Sequence, residues 1–253
     1  MYAVSTLARY NSLPREGHLK AALRLFSYLR AFSKAKLVFD TRSLLEPSFK
    51  EKVEHGWGEL YPNATEELPP DMPEPKMKAI TITAFYDASH ASCLITRRSV
   101  TGIVLMLNNT ILRCTSKRQN TVESSTYGSE MVAARLAVEQ VMDLRYKLRM
   151  LGVPIKVASV LIGDNQSTIT SCTIPGSNLK KRHNDIAYHR EREAVAAGVV
   201  ELRYIKSQYN LADALTKPLN GDLHYKLWRE YLLKPLQEVG ECQTWAQKVA
   251  NGS

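Results

Sequence analysis

Residues 79–87 read Ala-Ile-Thr-Ile-Thr-Ala-Phe-Tyr-Asp. The β-branched and aromatic side chains make this run a strand, and it closes on a carboxylate, Asp87. Residues 157–163, Val-Ala-Ser-Val-Leu-Ile-Gly, repeat the arrangement and close on Asp164. A continuous apolar run of this length is typical of a strand buried on both faces. Two further acids sit among small and apolar residues, Glu130 in Ser129-Glu130-Met131-Val132-Ala133-Ala134 and Asp213 in Leu211-Ala212-Asp213-Ala214-Leu215. A carboxylate in such surroundings is costly unless something positive neutralises it, and none of the four has a basic neighbour in sequence. Four such acids point to a divalent cation. Hard cations such as Mg2+ take oxygen ligands, and paired Mg2+ ions serve phosphodiester chemistry.

The organisation around these two strands is that of a mixed α/β sheet covered by helices. Residues 99–107 form a second strand, Asn108-Asn109 a hairpin turn, and residues 110–116 a third strand. A long helix carries Ala134, Ala137, Val141, Leu144, Leu148 and Leu151 on one face and ends at Gly152 and Pro154. After the strand 157–163, a basic helical stretch runs over about 180–197, and residues 199–206 are the last strand. A final helix begins near Asn210. Three antiparallel strands followed by α-β-α-β-α predict five strands. The strands that carry Asp87 and Asp164 can lie parallel and adjacent, with their carboxyl ends at one crevice, which Glu130 and Asp213 can face from helix starts.

Upstream, residues 17–32 form an amphipathic helix with Leu19, Ala22, Leu23, Phe26 and Leu29 at helical spacing, and Ser12 and Pro14 as start signals. Residues 36–40 read as a short strand. Residues 61–76 hold five of the eleven prolines and are mostly acidic, which reads as a linker. The expected division is a small helix-and-strand segment at 1–60, a linker at 61–77, the sheet domain at 78–219 and a tail at 220–253.

Apolar residues make up 44% of the 253, ample for a packed core. No stretch approaches the roughly 20 apolar residues of a membrane span, and the start lacks the features of a signal peptide, so an intracellular protein is expected. The four cysteines form no Cys-x-x-Cys pair, which argues against a zinc site or a disulfide framework. A net charge of +9 favours a polyanionic partner: the acids would hold metal while lysines and arginines hold phosphates.

The ordered set of motifs resembles the RNase H domain of copia-type LTR retrotransposon Pol polyproteins. It comprises Phe85-Tyr86-Asp87-Ala88-Ser89, Thr96-Arg97-Arg98-Ser99-Val100-Thr101-Gly102, Ser116-Lys117-Arg118-Gln119, Ser124-Ser125-Thr126-Tyr127-Gly128-Ser129-Glu130, Gly163-Asp164-Asn165, Leu179-Lys180-Lys181-Arg182-His183 and Ala212-Asp213-Ala214-Leu215-Thr216-Lys217-Pro218-Leu219. The likeness spans about residues 79–219. Residues 1–39 resemble the segment that follows the reverse transcriptase palm in the same polyproteins, without the polymerase aspartate motif.

The resemblance implies an RNase H-like five-stranded sheet and a ribonuclease H that hydrolyses the RNA strand of RNA–DNA hybrids during reverse transcription. Asp87, Glu130, Asp164 and Asp213 would be both catalytic residues and ligands of two Mg2+ ions, with Mn2+ as a possible substitute. Ser124, Ser125 and Thr126 would meet the RNA 2′-hydroxyls. Ser116, Lys117, Arg118, Gln119, Lys180, Lys181 and Arg182 would grip phosphates. The hybrid and the remainder of the polyprotein would be the partners, in the cytoplasm within a virus-like particle, with no membrane. The chain departs from the family at Ser89, where an aspartate is usual, in having one glutamate candidate before Met131, and in lacking a histidine at 207–210. Two alternatives stand beside this reading: a nucleic-acid-binding remnant that does not cut, and a DNA-directed nuclease on the same fold. His183 and His189 are expected to pack or hydrogen-bond, and Trp57 and Trp228 to pack.

Overall fold

A computed structural model describes residues 1–41, 56–76, 78–177 and 185–232. Five strands form one sheet: β1 (Ile82–Ser89), β2 (Val100–Leu107), β3 (Thr110–Arg118), β4 (Ser159–Gly163) and β5 (Val200–Tyr204), in the order β3-β2-β1-β4-β5. The first three are antiparallel neighbours, while β4 runs parallel to both β1 and β5. This is the mixed five-stranded sheet expected from the strand pattern. Asn108 makes the β2–β3 turn with φ of 50° and fixes it by accepting the Thr81 N–H at 2.9 Å. Asparagine tolerates that left-handed backbone better than most residues do.

The sheet is buried on both sides because β1 alternates between two cores. Ile82, Ala84 and Tyr86 face a helical layer led by α3 (Thr126–Met150), which contributes Met131, Ala134, Ala137, Val138 and Val141. Joining it there are α4 (Gln166–Thr173), through Ile169 and Cys172, and α5 (Asp185–Ala196), through Ala187, Tyr188 and Ala194. Phe85, Val104, Val160 and Ile162 face the opposite layer, made by α6 (Asp213–Thr216) and α7 (Gly221–Leu232) with Leu215, Leu227, Trp228 and Tyr231.

Near the N-terminus, α1 (Tyr2–Ala8) lies against β3 and α6, and is followed by α2 (Glu16–Ala31). Neither Ser12 nor Pro14 starts α2. Arg15 is its N-cap residue, and the Arg15 N–H donates to Nδ1 of His18 at 3.0 Å.

Three other expectations are corrected. Residues 36–40 form no strand. They run past the β2–β3 hairpin, where the Asp40 N–H donates to Oγ1 of Thr110 at 2.8 Å and the Val38 N–H donates to the Tyr231 carbonyl at 3.0 Å. Among the described residues one backbone bond joins the segment to the hairpin, from the Asn109 N–H to the Asp40 carbonyl at 3.3 Å, and the others reach a side chain and a helix end, so no ladder forms. The final helix expected from Asn210 is instead two helices, because Pro218 has no N–H to continue α6. Its second part, α7, starts where the Asn220 side chain accepts the Leu223 N–H at 2.8 Å. Leu151, expected on the buried face of the long helix, is its C-cap residue and stands exposed.

The proline-rich residues pack along α3 and α5. Glu66 accepts from Nε and Nη2 of Arg145 at 2.7 and 2.9 Å, and from Nε and Nη2 of Arg149 at 3.2 and 2.7 Å. The Arg192 guanidinium lies 4.9 Å from the Trp57 ring and 4.7 Å from that of Tyr188. The Tyr61 hydroxyl meets Nδ1 of His189 at 2.7 Å, and Trp228 is buried. His189, Trp57 and Trp228 thus take the packing and hydrogen-bonding roles expected of them; His183 lies outside the described residues.

Burial alone would raise the Glu66 carboxyl, but the hydrogen bonds and charges of Arg145 and Arg149 outweigh it and hold the group below its ordinary pKa. Removing one partner of a buried pair costs roughly 3–5 kcal/mol, and since Glu66 keeps 19% exposure, Glu66→Gln should cost about 2 kcal/mol at pH 7. A carboxyl depressed in the folded state stabilises above its unfolded pKa of about 4.3, and that contribution fades as pH falls through the folded value. Urea denaturation at a series of pH values should therefore show the gap between wild type and Glu66→Gln closing below about pH 4.

Gly102 sits opposite Asp87 in the β1–β2 pairing, and α6 packs directly upon it. A methyl group at 102 would lie 2.7 Å from the Ala212 carbonyl oxygen, 2.8 Å from Cγ2 of Thr216 and 2.9 Å from Cβ of Leu215. Gly102→Ala should lower stability by about 1–3 kcal/mol, read as a lower urea midpoint with an unchanged slope.

Candidate active site

The parallel register of β1 and β4 pairs Phe85 with Ile162. Two residues further on, Asp87 and Asp164 leave their strands side by side at the carboxyl ends of the sheet, where α/β proteins build their ligand crevices. The third acid arrives from α6. The loop before it is anchored by Asn210, fully buried, whose Nδ2 donates to the Tyr86 carbonyl at 2.9 Å and whose Oδ1 accepts the Ala212 N–H at 3.1 Å. That loop and the close approach over Gly102 bring Asp213 over the end of β1. Carboxylate oxygens of Asp87, Asp164 and Asp213 all lie within 4.8 Å of one another.

Glu130 reaches the same place from the other helical layer. It lies in the second turn of α3, and its Oε1 accepts the Ala88 N–H at 3.2 Å, beside Asp87. It stands outside the three-aspartate cluster. Its Oε2 and Oδ1 of Asp213 are buried without a hydrogen-bond partner.

Such an arrangement is electrostatically strained. Burial pushes the Glu130 carboxyl well above the usual range, and the charges of Asp87 and Asp164 push it the same way. Burial raises Asp87 against the opposing hydrogen bond of Thr216. Burial and the neighbouring Asp87 push Asp213 up to about 7, with Lys217 opposing. The relief present is partial. The Thr216 hydroxyl donates to Oδ2 of Asp87, the Ser207 hydroxyl donates to Oδ2 of Asp164, and the Lys217 ammonium lies 2.8 Å from Oδ2 of Asp213. An all-oxygen donor set with two orphaned buried carboxylate oxygens fits a hard divalent cation.

The remaining predicted residues divide. Lys117 is exposed and Arg118 half-buried, at the end of β3 that lies level with the acids. Gln119 is 4% exposed, and its Nε2 donates to Oγ1 of Thr101 at 3.0 Å and to the Ser129 carbonyl at 2.9 Å, so it braces β2 against α3. With both amide hydrogens committed, it has none for a phosphate. Ser116 donates its hydroxyl to the Leu215 carbonyl at 2.6 Å and holds β3 to α6. Ser124 and Thr126 are exposed at the start of α3, whereas Ser125 is its N-cap and accepts the Gly128 N–H at 3.2 Å. Lys180, Lys181 and Arg182 lie outside the described residues. Ser89, where the resemblance implied an aspartate, donates to Ser92 at 2.8 Å and accepts the Val100 N–H at 3.2 Å, closing the β1–β2 loop.

Sequence reasoning assigned no role to Thr216, Lys217, Ser207 or Asn210. Thr216 and Lys217 follow Asp213 by three and four residues, the spacing of one helical turn, and that spacing was a usable signal. Ser207 and Asn210 carried none.

No family model matches the chain. It is 24% identical over 219 residues to the retrovirus-related Pol polyprotein from transposon RE1 of Arabidopsis thaliana, covering 87% of this chain and 13% of that one. It is 29% identical over 136 residues to the corresponding polyprotein from transposon TNT 1-94 of Nicotiana tabacum, covering 54% and 10%. Among solved structures it is similar to RNase H1 from Halobacterium salinarum, with a TM-score of 0.42 and 18% identity over 54% of this chain and 94% of that one. Among the described residues no helix is long and apolar enough to cross a membrane. The chain spans about an eighth of the relatives it matches over most of its own length, and these homologues are retrovirus-related Pol polyproteins of plant transposons.

Proposed function

We propose that the chain is a ribonuclease H that cleaves the RNA strand of RNA–DNA hybrids in copia-type retrotransposon replication, acting beside the rest of its polyprotein in the cytoplasm. One observation carries this reading: acids from β1, the end of β4, α6 and α3 converge where two buried carboxylate oxygens have no partner. A basic chain with an acidic centre matches a substrate whose backbone is anionic.

Asp87, Asp164 and Asp213, with Glu130 behind them, would hold two Mg2+ ions, which supply a water acidified for attack and charge stabilisation of the leaving 3′ oxygen. The chain's own residues do the positioning. Thr216 and Ser207 each fix one carboxylate through a hydroxyl donor, so Asp87 and Asp164 present their remaining oxygens to the crevice. Lys117 and Arg118, about two strand spacings (~10 Å) from β1, hold a backbone phosphate and set the duplex across the acids without reading its sequence. Ser124 and Thr126, exposed at the start of α3, precede Glu130 by one to two helical turns and meet the 2′-hydroxyls that distinguish RNA from DNA.

The test is cleavage of a labelled RNA–DNA hybrid with Mg2+, beside EDTA, double-stranded DNA and single-stranded RNA. The RNA strand of the hybrid should be cut in a metal-dependent way. Asp87→Asn should lose more than the roughly 10–100-fold that changes beside a metal ligand cost, and Thr216→Val should fall within that range. Salt-sensitive hybrid binding without cleavage by wild type, with either Mg2+ or Mn2+, would instead identify a binding remnant. Preference for duplex DNA would identify a DNA-directed nuclease.

A further inference from the structure

We propose that Lys217 is a built-in counter-cation of the acidic cluster, which holds the metal-free site together and competes with an entering divalent cation. The inference rests on the metal-binding reading of the four acids. Its basis is an asymmetric ion pair. The ammonium lies 2.8 Å from Oδ2 of Asp213, an aspartate whose side chain is 4% exposed, while the lysine side chain itself is 45% exposed. Among the described residues it is the cation paired with a member of the cluster.

An i,i+4 pair on an open helix surface contributes little, because water screens both charges. Here only one end of the pair is in water. The other end sits beside Asp87 and Asp164, within 4.8 Å, so the ammonium sees the combined field of three acids. Backbone geometry directs it there. Lys217 is the C-cap of α6, with extended φ and ψ of −146° and 156°, and Pro218 prevents the helix from carrying it away. Thr216 serves Asp87 while the next residue serves Asp213, so two consecutive side chains relieve two consecutive strains.

The relief is incomplete, since Oδ1 of Asp213 stays buried without a partner. A single ammonium is one point charge with three donors, whereas Mg2+ demands near-octahedral oxygen ligands at about 2.0–2.1 Å. Oδ2 of Asp213 can serve one or the other. The half-exposed stem gives the ammonium a route to solvent when it is displaced. Lys217 is a positioning residue in this scheme: it sets how tightly the site binds metal and keeps the carboxylates gathered in its absence.

The experiment uses the full chain as wild type, Lys217→Gln and Lys217→Arg, with two readouts independent of cleavage: Mg2+ binding by titration calorimetry and thermal unfolding in EDTA. Lys217→Gln should bind Mg2+ roughly three- to tenfold more tightly, because a competitor is gone. It should also melt below wild type in EDTA, with the deficit removed by saturating Mg2+. Lys217→Arg keeps the charge and should stay near wild type in both. Equal or weaker Mg2+ binding by Lys217→Gln, or an unchanged melting temperature in EDTA, overturns the proposal while leaving the metal site standing. Absence of Mg2+ binding in all three proteins would overturn the metal-binding reading together with it. Wild type that binds Mg2+ without cutting hybrid would overturn the ribonuclease reading alone.

Discussion

The parallel pairing of β1 with β4 is the constraint on which the rest depends. Parallel neighbours need a long crossover, and here it is β2, β3 and α3, residues 90–158 between two strands that touch. Side chains alternate along a strand, so a slip of one residue would send Asp164 to the opposite face from Asp87 and turn Val160 and Ile162 out of their own core and into the one led by α3. Hydrophobic burial thereby enforces the register that the acids need. The two cores select one alignment, and the carboxylates at the strand ends inherit it.

Those acids work against the fold that holds them. Asp87, Asp213 and Glu130 are buried, and burial disfavours the ionised form of each, with the charge of Asp87 adding to it at Asp213 and Glu130. The strain is confined to one end of the sheet; at Asp87 and Asp213 it is met by short contacts from a single turn of chain, Thr216 and Lys217, while Ala88 serves Glu130 and Ser207 serves Asp164. Gly102 makes that turn's position possible by lacking a side chain. A glycine with an ordinary strand conformation is thus tied to the site through the space it leaves.

The sequence disclosed the strand-end acids as a set: one aspartate closing an apolar run reads as a turn residue or helix cap, whereas four carboxylates among apolar residues do not. It disclosed the sheet because period and turn residues are local properties. What it concealed depends on which surface the tertiary fold covers. Gln119 follows a basic, polar run and reads as a phosphate contact, yet the path of α3 buries it against Thr101 and Ser129. Ser116 reads the same way until α6 is laid over β3. Residues 36–40 have strand composition and no strand partner, since the hairpin meets them at its turn, with one backbone bond from Asn109 to Asp40 and otherwise with the side chains of Asn109 and Thr110.

The order β3-β2-β1-β4-β5 leaves two strands at the sheet's margins, and each margin is finished differently. β5 is five residues long and carries Glu201 and Arg203 as an ion pair at 2.8 Å, a short charged border that discourages another chain from extending the sheet. β3 is nine residues long and would be the better template for edge-to-edge aggregation. There α1 and the backbone of Asp40 lie against it, so the N-terminal segment serves as a cover for an otherwise adhesive rim.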